Sequence, residues 1–308
     1  MKKEVYILGG FLGSGKTTLL KKLLIHLKEA GKKPAVLMNE LGKVSIDSSE
    51  VDSDTPLKEL LDGCICCTIQ EKLEAQLQEL LYEKDWDVLV IETTGAAHPV
   101  EVMDSVLSPL FADQFLFKGI ITTVDAKRWL NRSELSPQIL HLLREQVKYA
   151  SLLVVNKTDE IKELDKGNIS YELSSLNPSA TILLTTYSSV PNHLITELST
   201  SEEGINFALT TRESTSSPLR SYVYSFKGSV KREKFMAWLE SLPSSVFRIK
   251  GFVPFKETTY PELFQYSFGM PIFLSEDMRM PTNLVIIGQN LSIEDISTQL
   301  KTIDEVNG

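Results

Sequence analysis

The chain has 308 residues, 42% hydrophobic and 24% charged, which suits about two soluble domains with buried cores and excludes a disordered chain. Lysine and arginine number 32 against 41 aspartate and glutamate, and a net charge of −9 repels polyanions, which argues against nucleic acid and anionic lipid as main partners. No apolar run approaches the ~20 residues that span a bilayer, and Met1-Lys2-Lys3-Glu4 lacks the marks of a secretory leader, so the expected location is the cytoplasm, with no membrane partner.

Short β-rich apolar runs alternate with helical-period stretches through the first two-thirds of the chain. That is the pattern of α/β crossover units building a mostly parallel sheet with helices on both faces. The expected strands are 5–8, 35–38, 88–91, 119–124, 152–155 and 180–184. Between the first two, a helix is expected over 17–28, because Leu19, Leu20, Leu23, Leu24 and Leu27 recur at three- and four-residue spacing, and Gly31 can end it. A Ser/Thr-rich stretch over 199–218 reads as a linker between a first domain, 1–198, and a second, 219–308. The second is expected to be a smaller α+β domain, with strands over 219–226, 246–253, 263–268 and 283–287 and a helix over 231–241.

Gly10-Phe11-Leu12-Gly13-Ser14-Gly15-Lys16-Thr17 follows the first expected strand and opens the first expected helix, where a phosphate-binding loop has to lie. Backbone N–H groups there can turn inward around phosphate oxygens, the helix amino terminus adds its positive dipole end, and Lys16 can reach the β and γ phosphates. Gly10, Gly13, Ser14, Gly15, Lys16, Thr17 and Thr18 are accordingly expected to hold a nucleoside triphosphate, with the Thr17 hydroxyl on Mg²⁺.

All three cysteines lie in Cys64-Ile65-Cys66-Cys67, too few and too clustered for a disulfide framework. Three thiolates so close can converge on one soft cation, zinc before Co²⁺ or Ni²⁺. Tetrahedral Zn²⁺ needs a fourth ligand, from water or from a residue such as Glu40. The other reading is three small buried apolar side chains with no metal.

Glu92 ends an apolar strand and heads Glu92-Thr93-Thr94-Gly95. At the carboxyl edge of a parallel sheet it is expected to serve Mg²⁺, directly or through water, and the attacking water; Gly95 would let the backbone approach the γ phosphate. His98 follows closely, although a lone histidine on a loop more often has no metal role. Asn156-Lys157-Thr158-Asp159 closes another apolar run and resembles the guanine-specifying motif of GTPases. That resemblance places Asn156, Lys157 and Asp159 at the base of GTP, with Asp159 accepting from guanine N1–H and the exocyclic amine. Adenine offers no such donor pair and would leave the carboxylate unmatched.

In this order the phosphate loop, Cys-x-Cys-Cys, Glu-Thr-Thr-Gly and Asn-Lys-Thr-Asp segments resemble the CobW-like family of metallochaperone GTPases. Asn39-Glu40-Leu41-Gly42 is similar to its first switch segment, Gly63-Cys64-Ile65-Cys66-Cys67 to its metal motif, residues 146–159 to its base region, and Val246-Phe247-Arg248-Ile249-Lys250-Gly251 to part of its carboxy-terminal domain. The resemblance implies a P-loop NTPase fold, Mg²⁺-dependent GTP hydrolysis, insertion of zinc, cobalt or nickel into a metal-requiring client protein, and often a nucleotide-dependent homodimer. This chain departs from many relatives in carrying Lys43 where they have an acidic residue, and in having only His193 where they carry a histidine-rich tract. The alternative is a signalling GTPase whose cysteines are structural or redox-sensing.

Overall fold

The computed structural model describes residues 2–38, 57–59, 69–82, 85–110, 112–198, 219–267, 269–289 and 291–305. Backbone contacts gather the chain into two compact units.

In the first unit β1 (Lys3–Gly10) feeds α1 (Lys16–Glu29), and the leucine stripe at 19, 20, 23, 24 and 27 is buried. The helix stops because Gly31 takes a left-handed φ of 77°, and Lys32 N–H turns back to the Leu27 carbonyl at 2.9 Å. There follow β2 (Pro34–Met38), β3 (Leu57–Glu59), α2 (Ile69–Tyr82), β4 (Val88–Glu92), α3 (Pro99–Val106), β5 (Phe115–Asp125), α4 (Ala126–Leu130), α5 (Pro137–Lys148), β6 (Leu152–Asn156), α6 (Glu163–Leu176), β7 (Thr181–Leu184) and α7 (Asn192–Leu198).

The seven strands form one sheet in the order β3-β2-β4-β1-β5-β6-β7, every pairing parallel. A sheet whose crossovers are helices is covered on both faces, and β6 shows it residue by residue. Leu152 and Val154 pack with α1 leucines and Ile195, whereas Leu153 and Val155 pack with Trp129, Leu143, Val147, Ile169 and Leu173. β1 lies centrally, so the carboxyl ends of β4, β1, β5 and β6 bring Glu92, Gly10, Asp125 and Asn156 to one edge. The register pairs Leu8 with Glu92, Gly10 with Thr123 and Asp125 with Asn156.

The second unit holds β8 (Leu219–Ser225), α8 (Arg232–Glu240), β9 (Val246–Val253), β10 (Glu262–Ser267), β11 (Met270–Leu274), β12 (Asn283–Gln289) and α9 (Ile293–Ile303). Its strands run antiparallel in the order β11-β10-β9-β12-β8. Phe235 and Trp238 of α8 and Ile296 and Leu300 of α9 share a core with Ile249, Phe264, Leu284 and Ile286 of the strands. Phe235 meets Phe255 and Phe264 edge-on at 5.5 and 5.0 Å, the arrangement that aromatic quadrupoles favour.

Both the parallel α/β architecture with helices on two faces and the strand-rich α+β second unit follow the sequence-based expectation. The differences are local. β5 begins at Phe115 rather than at 119, because a register shift between Val5 and Tyr6 carries the strand past Gly119. β3, β11 and α9 are additional to the expected elements. The expected linker, 199–218, lies outside the described residues. Among the described residues no helix is long and apolar enough to cross a membrane.

Candidate functional site

The loop after β1 can close around a ligand only where side chains are absent. Gly15 has φ 108°, and a Cβ there would stand 2.4 Å from Asn156 Nδ2 and 2.6 Å from Ser188 Oγ. The buried Ser14 hydroxyl donates to the Phe11 carbonyl at 2.6 Å and lies 2.6 Å from Thr123 Oγ1, which ties the loop to the end of β5. Lys16 is buried, and its Nζ donates to the carbonyls of Gly10 at 2.9 Å and Phe11 at 3.4 Å. The ammonium is thus curled within its own loop, where phosphate oxygens can replace the two carbonyls. Arg128 closes the outer lip: its guanidinium lies over the Phe11 ring at 4.8 Å and donates to the Leu12 carbonyl at 2.9 Å.

On the β4 side, Thr17 Oγ1 donates to Glu92 Oε1 at 3.0 Å. A hydroxyl and a buried carboxylate side by side are hard oxygen donors, the type Mg²⁺ takes, so the residues present fit that ion. Thr93 follows the strand and is pinned through its N–H and hydroxyl to the Leu8 carbonyl at 2.9 and 3.0 Å. Gly95 lies against the P-loop: a Cβ on it would come 2.6 Å from Leu12 N and 3.1 Å from Leu12 Cα. Its carbonyl accepts from Gln146 Nε2 at 3.1 Å.

At the other end, Asn156 is buried and bridges two loops, donating to the Ser14 carbonyl at 2.9 Å while its Oδ1 accepts from Ser188 N–H at 2.8 Å. Ser188 Oγ donates to the Gly15 carbonyl at 3.0 Å. Lys157 stands in the left-handed region at φ 60° and sends Nζ to Asp125 Oδ2 at 2.7 Å. Burial alone would push the Asp125 carboxyl up. The hydrogen bonds from Lys157 and from Arg128 N–H outweigh it and hold that carboxyl below its usual range. Asp159 is exposed at the mouth of the same loop, and Thr18 is exposed on the first turn of α1.

The structure therefore gathers Gly10, Gly13, Ser14, Gly15, Lys16, Thr17, Glu92 and Gly95 around the P-loop, with Asn156 joining it to Ser188. Glu40, Lys43, Cys64, Cys66 and Cys67, with the whole segment similar to the first switch, lie outside the described residues. Among the described residues no three histidine, cysteine, aspartate or glutamate side chains cluster to hold a metal ion. His98 instead faces Glu145, with Nε2 at 3.7 Å from Oε2, and Tyr149, ring to ring at 5.8 Å.

Sequence reasoning did not single out Thr123, Asp125, Arg128 or Ser188, nor a role for Gln146. Asp125 carried a readable signal, since it ends an apolar run as Glu92 does. The others join the site through contacts between distant segments.

Comparison with known proteins bears on the family and the fold. The chain is 36% identical over 193 residues to the zinc chaperone YjiA of Escherichia coli, covering 60% of this chain and 58% of that protein. It is 29% identical over 225 residues to the zinc-regulated GTPase metalloprotein activator 1 of Dictyostelium discoideum, covering 62% of this chain and 47% of that one. The matched stretch thus spans about half the length of these curated relatives. A crystal structure of Zn(II)-bound YjiA GTPase from Escherichia coli covers 99% of this chain and 100% of that one with a TM-score of 0.50 at 22% identity, a likeness of fold. The model of the CobW/HypB/UreG nucleotide-binding domain matches residues 4–184, and that of the cobalamin synthesis protein cobW C-terminal domain matches residues 219–303. With both family domains accounted for, the chain belongs to the CobW/HypB/UreG family.

Proposed function

We propose that this chain is a GTP-hydrolysing metallochaperone that binds a transition metal, zinc before cobalt or nickel, and delivers it to a metal-requiring client protein in the cytoplasm. The observation that carries the reading is the Thr17–Glu92 pair at 3.0 Å beside the P-loop, a ready oxygen site for the magnesium of a bound triphosphate. Relatives named a zinc chaperone and a zinc-regulated GTPase metalloprotein activator support it.

In this reading Lys16 exchanges the Gly10 and Phe11 carbonyls for the β and γ phosphates, and Asp159 accepts from the guanine donors. Mg²⁺, held by Thr17 and by Glu92 directly or through water, supplies charge neutralisation on the phosphates. Glu92 orients the attacking water by accepting one of its hydrogens. The carried metal is substrate rather than resident cofactor, held by Cys64, Cys66 and Cys67 with Glu40, which fall in sequence between the P-loop and Glu92. Nucleotide state and metal affinity are then linked, and linkage makes the effect reciprocal. Residues 1–198 do the nucleotide and metal work, 219–308 select the client across a linker at 199–218, and the working form is a nucleotide-dependent homodimer.

The test is hydrolysis of GTP and of ATP by metal-stripped protein titrated with Zn²⁺, beside a variant with Cys64, Cys66 and Cys67 all changed to Ser. GTP-selective turnover that zinc alters only when the cysteines are present is the expected result. Turnover indifferent to zinc would leave a GTPase without a metal cargo, and selectivity for ATP would remove the base assignment.

A further inference from the structure

Gln146 is charge-neutral, only 2% exposed, and sits near the end of α5. Its side-chain amide nevertheless reaches the segment that follows Glu92, with Nε2 donating to the Gly95 carbonyl at 3.1 Å and to the Ala97 carbonyl at 3.3 Å. Each of the two N–H bonds of that amide has one carbonyl to serve. The Gln146 backbone is itself fixed, its carbonyl accepting from Thr122 Oγ1 on β5 at 3.1 Å.

The segment thus held is the one that touches the P-loop. Gly95 is packed so closely on Leu12 that a Cβ would fall 2.6 Å from Leu12 N. The Ala97 N–H closes back on the Thr94 carbonyl at 3.1 Å, so the turn from 94 to 97 is fixed on one side by its own backbone and on the other by Gln146. The bond to the Gly95 carbonyl holds the 95–96 peptide plane, which begins where Gly95 packs on Leu12.

We infer that Gln146 is a positioning residue for GTP hydrolysis: it sets the Gly95 peptide where the terminal phosphate must be met, and it makes α5 the element that registers whether that phosphate is present. This rests on the reading that GTP is hydrolysed at the P-loop. A side chain that only filled space would be replaceable by one of equal volume without donors.

The experiment compares the wild type with Gln146→Met, which keeps the volume, and Gln146→Glu, which keeps the shape but can donate only when protonated. Steady-state kcat and KM for GTP, GDP affinity and the pH profile are measured on the full chain. In Gln146→Met kcat should fall about 10- to 100-fold, the cost of a small misplacement, with GDP affinity within about twofold of wild type. Gln146→Glu should be most active at the acid end of the profile and lose activity as pH rises and its carboxyl ionises, a trend absent from the wild type. A kcat for Gln146→Met within about twofold of wild type, or a Gln146→Glu profile parallel to wild type, overturns the assignment. Wild-type turnover in the same assay separates the two levels: without it the underlying GTPase reading fails as well, whereas normal wild-type turnover with an unaffected Gln146→Met removes only the role of Gln146.

Discussion

Thr17 and Glu92 stand 75 residues apart in the chain, and their side chains meet at 3.0 Å. The contact exists because β1 and β4 are parallel neighbours, so that the loop leaving one strand and the acid ending the other share an edge. Replacing Glu92 by Gln preserves shape and removes the charge. Hydrolysis of GTP should fall by about 10²- to 10³-fold in kcat, as when one preorganised electrostatic group is lost, while GDP affinity changes little. Single-turnover rates beside GDP titrations check it, and proportional losses in both would place Glu92 in nucleotide binding instead.

Gly95 has no room for a methyl group. Gly95→Ala would press Cβ into the Leu12 backbone, at a cost of about 1–3 kcal/mol in overpacking unless the segment moves away. Since that segment faces the phosphate loop, GTP turnover should suffer more than GDP binding. Thermal unfolding and both nucleotide measurements on one preparation decide the matter; equal activity in the variant would show that the segment gives way freely.

Asn156→Ala should act differently. It leaves the Ser14 carbonyl and the Ser188 N–H without their side-chain partner, and an unsatisfied buried group costs about 1–3 kcal/mol. GTP and GDP affinities should therefore weaken together, along with the melting temperature. A variant that lost GTP alone would contradict a scaffold role.

The Lys157–Asp125 pair predicts a pH dependence. The folded Asp125 carboxyl titrates below its usual range, so the pair stabilises fully above the unfolded value of about 4 and is lost as pH falls through the lowered folded value. The melting temperature of Asp125→Asn should lie below wild type by a constant margin from pH 8 down to about 5, and the margin should shrink under about pH 4. Thermal scans of both proteins across that range test the sign, and a margin that grew on acidification would reverse it.

The phosphate loop was legible because its signature is contiguous: a strand, a glycine-rich turn and a helix start within Lys3 to Thr17. The place of Glu92 beside that loop was legible because it ends an apolar strand at the sheet edge that carries the loop. Asn156 was found for its motif, yet its amide braces Ser14 and Ser188, which the resemblance to a base-recognition motif does not specify. Thr123, Ser188 and Gln146 were out of reach for a physical reason. Periodicity reports which face of an element is buried, and it does not report which distant loops meet, and the bond from Gln146 to Gly95 spans 51 residues. α9 was missed despite a readable pattern of Ile296, Leu300 and Ile303 behind a Ser292 cap, whereas the three-residue β3 offered no pattern to read.

Lys157, Tyr187 and Ser188 all hold left-handed backbone at φ 60°, 51° and 49°, although none is glycine. Each such residue costs about 1–2 kcal/mol of local strain; Asp125 holds Lys157, Asn156 holds Ser188, and Lys22 Nζ donates to the Tyr187 carbonyl at 2.6 Å. On the proposed reading, this end of the site would meet the base of GDP and GTP alike, and would govern how long a nucleotide stays without distinguishing the two. Retention time and the sensing of hydrolysis would then reside in separate loops, and substitutions in the 185–189 turn should lengthen or shorten the dwell of both nucleotides alike without altering the signal.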